Sequence, residues 1–425
     1  LKKWILMFLT AVLVLSSLST VDAHNGNDKG KGNDNGKGKN KQLQLGIEVL
    51  LKDERQLVEG KKVGLITNPT GVDQELTSIV DLLYNDPGIE LTALYGPEHG
   101  VRGSAQAGEY VESYTDEKTG LPVYSLYGQT RKPTPEMLEN IDVLVFDIQD
   151  VGARFYTYIY TMAYAMEAAK ENNIPIIVLD RPNPIAGTKV EGPVLDMKYA
   201  SFVGNYAIPL RHGMTVGELA LLFNKEFGIN SDLTVIEMKG WKRNTYYDET
   251  PLEFVMPSPN MPTVETTVVY PGAALIEGTN VSEGRGTTKP FELIGAPFIN
   301  ADDLAASLNS LELSGVTFRA ASFTPTISKH ANTLSHGVQI HVTNRNAFKP
   351  VETGIHIVKT IHDMYPEDFE FRAENAQGIS FFDNLMGNSW VRKGIEEGRS
   401  VEELTAEWQP ELKKFEKVRK KYLLY

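Results

Sequence analysis

Cysteine is absent from the 425 residues. That excludes disulfides, thiolate metal sites, a cysteine nucleophile and haem attachment, so the fold must rest on its apolar core. The chain also lacks the HExxH helix of common zinc proteases, the GxSxG nucleophile elbow, the GxGxxG dinucleotide turn and the P-loop pattern. The spacing of His99, His212, His330, His336 and His341 specifies no metal site. No cofactor and no metal are expected. Positive charge is in deficit, with 42 Lys and Arg against 55 Asp and Glu and a net charge of −13. Nucleic-acid binding needs a basic face, so no nucleic-acid partner is expected. Beyond the first residues no apolar run is long enough to span a bilayer, and stable membrane insertion is not expected.

What the chain does have begins with a leader pattern. Lys2 and Lys3 precede an apolar stretch over 4–15, and Val21-Asp22-Ala23 is a small-residue cleavage pattern. This layout predicts a secretory signal peptide over 1–23, with cleavage near Ala23. Residues 24–41 contain only His, Asn, Gly, Asp and Lys, and nothing there can enter a core. The reading is a basic, flexible linker over 24–42, a solvated spacer or a weak adhesive for anionic wall polymers. The expected location is secreted: extracellular, wall-associated or periplasmic. About 380 residues remain, enough for two domains, placed at 43–250 and 251–425.

The first half alternates short apolar strands with helical spacing. Strands are predicted over 62–66, 89–95, 143–148, 174–179 and 233–238, and helices over 78–84, 155–171 and 216–227. This is the signature of an α/β fold with a largely parallel sheet covered on both faces. Residues 257–280, rich in Pro, Gly and Thr, are read as mostly loop. A smaller mixed α/β region follows, with a strand near 338–342 and helices near 351–363 and 401–422. No internal repeat is visible.

Polar clusters stand at the carboxyl ends of the predicted strands, where open α/β sheets bind ligands. Asn68 follows the first strand. Glu98, His99 and Arg102 follow the second, with Glu98 and His99 framed by Gly96-Pro97 and Gly100. Asp147, Gln149, Asp150 and Arg154 follow the third, and Arg181 and Asn183 the fourth. Arg211 and His212 make a further polar turn, and Asn280, Glu283 and Arg285 lie in or beside a Gly-rich loop. Glu98 can act as a general acid or base, or can be a turn residue paired with Arg102. Asp150 with Arg154 can be functional or a simple ion pair. A carboxylate and a guanidinium on the Gly-rich loop can clamp a polyol or an acid-bearing sugar. Two carboxyl groups across a cleft are the equipment of a glycosidase. Glu98 opposite Asp147, Asp150 or Glu283 satisfies that pattern. A 2-acetamido substrate offers another route, in which its own acetamido oxygen attacks. Tyr95, Phe155, Tyr156, Tyr158, Phe202, Tyr206, Trp241 and Tyr270 can stack on sugar faces or line the core.

GLITNPTGV (64–72), YGPEHGVRG (95–103), FDIQDVGARFYTY (146–158), LDRPNPI (179–185), IPLRHGMTVGELA (208–220), PSPNMPT (257–263), EGTNVSEGRGTTKPFE (277–292) and SKHANTLSHGVQIHV (328–342) resemble the NamZ-type exo-β-N-acetylmuramidase family. The resemblance implies a Rossmann-like N-terminal domain, a smaller α/β C-terminal domain and an active-site cleft between them. It implies a glycoside hydrolase that releases terminal N-acetylmuramic acid from the non-reducing ends of β-1,4-linked peptidoglycan fragments, in cell-wall turnover and recycling. Glu98, in the family's GPEHG motif, is then the expected acid. Its partner stays open among Asp147, Asp150 and Glu283. The lactyl carboxylate of muramic acid gives Arg154, Arg181, Arg211 or Arg285 a reason to be in the site. Two other classes remain open from the sequence: a metal-dependent wall amidase or deacetylase, and a non-catalytic wall-sugar binding protein.

Overall fold

The computed structural model describes residues 43–103, 108–109 and 111–425. The expected signal peptide and basic linker lie outside the described residues. The first half contains α1 (Gly46–Asp53), β1 (Lys62–Thr67), α2 (Ile79–Tyr84), β2 (Glu90–Gly96), β3 (Tyr114–Thr115), β4 (Pro122–Ser125), α3 (Pro135–Leu138), β5 (Val143–Asp147), α4 (Tyr158–Glu171), β6 (Ile176–Leu179), β7 (Glu191–Val194), β8 (Pro209–Arg211), α5 (Val216–Glu226) and β9 (Leu233–Ile236). The second half contains α6 (Val264–Ala273), β10 (Leu293–Ala296), α7 (Ala301–Ser310), β11 (Val316–Phe323), β12 (Ser335–Val342), α8 (Pro350–Met364), α9 (Phe381–Met386), α10 (Trp390–Glu396) and α11 (Val401–Arg419).

The main sheet has the order β3-β4-β2-β1-β5-β6-β9. All its pairs are parallel except the short edge pair β3/β4. Counting only the parallel strands in chain order gives 3-2-1-4-5-6, the doubly wound arrangement. Its ligand crevice lies at the carboxyl edge where the winding reverses, here between β1 and β5. Successive side chains of β5 enter opposite cores, as strand geometry requires: Leu144 and Phe146 on one face, Val143 and Val145 on the other. Both faces are apolar because both are covered, which explains the unbroken VLVF run.

The second half adds an antiparallel sheet, β10-β12-β11. It does not have a separate core. One apolar cluster runs from Ile66 of β1 through Phe146 and Tyr160 to Ile294, Ile355 and Phe415. The charged helix α11 belongs to it, burying Val401, Leu404, Trp408, Leu412 and Phe415 along one face.

The expectation of mostly loop over 257–280 is corrected by α6. Thr263 caps the helix, its Oγ1 accepting from the Thr266 amide at 3.3 Å. Composition misleads there because tertiary packing outweighs the poor helix propensity of Val, Thr and Gly. Gly272 is what the packing needs. A Cβ on it would stand 1.8 Å from the Pro350 carbonyl, and a Cβ on Gly354 of α8 would stand 2.4 Å from the Gly272 carbonyl. The two helices therefore cross backbone to backbone, fixing α6 and the turn that follows it.

Gly354→Ala tests this crossing. Helix propensity alone favours alanine by about 1 kcal/mol. Overpacking against a backbone carbonyl, which has no rotamer to yield, costs about 3 kcal/mol. The expected net is a loss of about 2 kcal/mol in urea unfolding. Equal or greater stability of the variant would refute the contact.

Candidate active site

The β2 strand ends at Gly96, and the chain turns at once. The Gly100 amide donates to the Pro97 carbonyl at 2.9 Å. His99 and Gly100 both take left-handed backbone, with φ of 72° and 75°. A Cβ on Gly96 would stand 2.9 Å from the Val101 nitrogen. The turn is thus closed to a larger residue at Gly96, and it places Glu98 and His99 on the wall of a 590 Å³ cavity. Glu98 Oε1 accepts from the Gly108 amide at 3.0 Å, and Oε2 from the Thr157 hydroxyl at 3.4 Å. Arg102 is not its partner: it forms a two-pronged pair with Asp116 at 2.9 and 3.0 Å. Tyr127, also on the wall, has its hydroxyl pushed up to about 12, first by burial and then by the Glu98 carboxylate.

Residues of the second half complete the wall. Glu277, Arg285, Tyr270, Ile327, Ser328 and Phe381 share the wall with Phe155, Tyr156, Tyr158 and Phe202 of the first. Glu277 lies in the 3₁₀ turn directly after α6. Burial raises its carboxyl above the ordinary range, against the pull of Arg285 and Lys329. Arg285 Nη2 is 3.3 Å from Glu277, and its Nε is 3.2 Å from Glu283. Glu283 in turn meets Lys329 at 2.9 Å. The Arg285 guanidinium also lies 5.1 Å over the Phe291 ring. Phe291 packs edge-on to Tyr270 at 4.8 Å, and Tyr270 edge-on to Phe155 and Tyr156 at 5.3 and 5.8 Å. An aromatic chain thus runs from the main sheet to the cation that holds Glu277.

Of the residues singled out in the sequence, Glu98, His99 and Arg285 reach this cavity, with Phe155, Tyr156, Tyr158, Phe202 and Tyr270. Glu283 and Asn280 line an adjoining cavity of 480 Å³ that shares Glu277, Arg285 and Ser328 with the first. The others buttress the fold. Asp147 is fully buried and takes both prongs of Arg181, at 2.5 and 2.8 Å. Arg211 pairs with Glu191 at 2.6 Å, and Asn183 binds the Met214 carbonyl. Asp150 does not pair with Arg154. It accepts from the Gly152 amide at 2.8 Å and lies 3.3 Å from His212 Nε2. Arg154 is fully buried on the carbonyls of Pro193, Ile208 and Leu385. Gln149 holds the Asp150 and Pro182 carbonyls, and Asn68 Oδ1 accepts from the Thr70 amide and hydroxyl. Tyr95, Tyr206 and Trp241 are core. The carboxyl group that the sequence reading missed is Glu277. It stands in the EGTN motif, but in a stretch read as loop.

No cluster of three or more His, Asp or Glu able to hold a metal occurs among the described residues. Two carboxyl groups, Glu98 and Glu277, on the wall of one tyrosine-lined cavity are equipped for acid–base chemistry on a sugar. Arg285 is one of the two cations that lower Glu277. Arg285→Met removes it, so the limb of the pH–rate profile governed by Glu277 moves to higher pH. A limb that stays in place or moves to lower pH contradicts this electrostatic link.

The comparisons with known proteins agree over the whole described chain. Residues 63–265 match the family model described as exo-beta-N-acetylmuramidase NamZ, N-terminal, and residues 268–425 the corresponding C-terminal model. The chain is 61% identical over 424 residues to the peptidoglycan beta-N-acetylmuramidase NamZ of Bacillus subtilis strain 168, covering 100% of each. Two crystal structures of DUF1343 family proteins from Bacteroides fragilis NCTC 9343 share the fold. One has a TM-score of 0.83 at 42% identity, the other 0.72 at 34%, each covering 90% of this chain and 99% of the other.

Proposed function

The chain belongs to the NamZ exo-β-N-acetylmuramidase family, and on that premise we propose that it is a glycoside hydrolase of peptidoglycan, removing terminal N-acetylmuramic acid from the non-reducing ends of β-1,4-linked N-acetylmuramic acid–N-acetylglucosamine fragments. The observation that carries the reading onto residues is that Glu98, from the first half, and Glu277, from the second, line one cavity. Glu98 protonates the leaving glycosidic oxygen. Its carboxyl is oriented by the Gly108 amide and the Thr157 hydroxyl, so little reorganisation precedes proton transfer. Glu277, held by Arg285, serves the other side of the anomeric carbon. There it activates water, attacks, or steadies the acetamido group of the substrate while that group attacks. Buried tyrosines keep the dielectric low, which strengthens each of these interactions. Export through the leader pattern at 1–23 would bring the enzyme to its polymer.

A second division of roles has one observation in its favour. Burial raises Glu277, the trait of a carboxyl that carries its proton to the reaction. Leaving-group dependence separates the two. An activated aryl muraminide needs little protonation, whereas a sugar leaving group needs it fully. Wild-type protein should release the chromophore from an aryl β-N-acetylmuraminide and not from the β-N-acetylglucosaminide. Glu98→Gln should lose about 10²- to 10⁴-fold on the natural disaccharide and much less on the aryl glycoside. If Glu277→Gln shows that pattern instead, the roles exchange. No release from either sugar removes the glycosidase reading.

A further inference from the structure

The substrate assumed above carries an acid, so the site needs a cation that is not already neutralised. Arg285 and Lys329 are committed to Glu277 and Glu283. Lys329 also donates to the carbonyls of Ile276 and Thr279, at 2.8 and 3.0 Å. Arg154, Arg181 and Arg211 are buried away from the cavity. Arg372 differs. It is exposed, it lines the adjoining 480 Å³ cavity, and it forms no ion pair among the described residues. Its guanidinium lies 5.0 Å over the ring of Phe381, and Phe381 is on the wall of the catalytic cavity.

Charge separates the two spaces that open from the catalytic cavity. The one shared through Asn260 and Ile327, of 720 Å³, has no charged residue on its wall. The one shared through Glu277, Arg285 and Ser328 has three cations and two carboxylates. An anionic substituent is favoured in the second space, and a neutral sugar fits the first without desolvating a charge. Stacking on Phe381 restrains the planar guanidinium before any ligand arrives, so less side-chain freedom is lost on binding.

We propose that Arg372, stacked on Phe381, binds the carboxylate on the lactyl arm of the terminal muramic acid, and that this contact sets the preference for muramic acid over glucosamine. The inference rests on the glycosidase reading for its substrate, but binding can test it without turnover. The carboxylate can be that of the free lactyl group or of the first amino acid of a peptide stem.

The full chain is titrated with N-acetylmuramic acid, its lactyl methyl ester, N-acetylmuramoyl-L-alanine and N-acetylglucosamine. Turnover of the aryl muraminide is followed in parallel. Arg372→Ala should weaken the free acid about tenfold, leave the ester and N-acetylglucosamine unchanged, and raise KM more than it lowers kcat. Arg372→Lys, without the two-pronged geometry, should restore part of the loss. An equal loss on N-acetylmuramoyl-L-alanine extends the site to the stem carboxylate. A loss confined to the free acid assigns it to the lactyl group. Arg131→Ala is the control, since Arg131 stacks on Phe202 at 3.8 Å but is on the wall of neither cavity. Unchanged binding of the acid by Arg372→Ala, or an equal loss on acid and ester, overturns the proposal. Absent turnover with Arg372-dependent binding would instead sink the glycosidase reading alone.

Discussion

The molecule depends on a charge buried without a counter-ion. Arg154 has no solvent exposure, and its guanidinium is held by three backbone carbonyls. Two of them, Pro193 and Ile208, belong to the first half, and Leu385 belongs to α9 of the second. Burial drops the guanidinium to about 10, so it remains charged at neutral pH. Carbonyl dipoles in fixed positions replace the hydration it has lost, and they do so only while both halves are in place. Leu385 is itself on the cavity wall. The cation that joins the halves therefore also anchors a residue of the cavity wall.

The same logic sorts the polar residues at the sheet's carboxyl edge. Thr67 and Asp147 stand side by side at the ends of β1 and β5, and the Thr67 hydroxyl donates to the Asp147 carbonyl at 2.9 Å. Asp147 then takes Arg181 from the end of β6. Thr67, Asp147 and Arg181 are paired with one another, because at a winding reversal the loops leave in opposite directions and would otherwise bury unpaired polar atoms. Glu98 is different in kind. Its partners are an amide and a hydroxyl, weak enough to be given up to a substrate, and it sits one strand further out. Chemistry is placed beside the strongest polar network and does not consume it.

This distinction sets what could be read from the sequence. Short unbroken apolar runs and helical spacing located five of the six parallel strands and their order of appearance, because burial on both faces leaves no polar residue to blur the signal; β4, with Pro122 exposed at its start, was missed. The GPEHG turn pointed to Glu98 because only a tight turn explains glycine on both sides. Which of the many strand-end carboxylates face solvent was not legible. Asp147 and Glu98 look alike until the partner, 34 residues away for Asp147, is known. Glu277 was missed for another reason. Its turn follows α6, whose packing on α8 through Gly272 and Gly354 joins residues far apart in sequence. Arg372 carries no motif at all, and its meaning comes from Phe381 beneath it.

The charge of the whole chain sharpens the electrostatic question. A protein at −13 repels an acidic glycan fragment at long range. Salt limits that repulsion to roughly 8 Å at physiological ionic strength, so recognition must be local. The cavity supplies it in layers. Glu277 and Glu283 are neutralised by Arg285 and Lys329, leaving no uncompensated negative charge on the wall that the substrate's acid must approach. Arg285 is also fixed from the other side by Phe291, Tyr270 and the tyrosines after β5. The field at the reacting bond is thus set by side chains whose positions are fixed before the substrate enters. Little has to move as charge develops, and that is the condition under which buried electrostatics accelerates a reaction rather than merely binding its substrate.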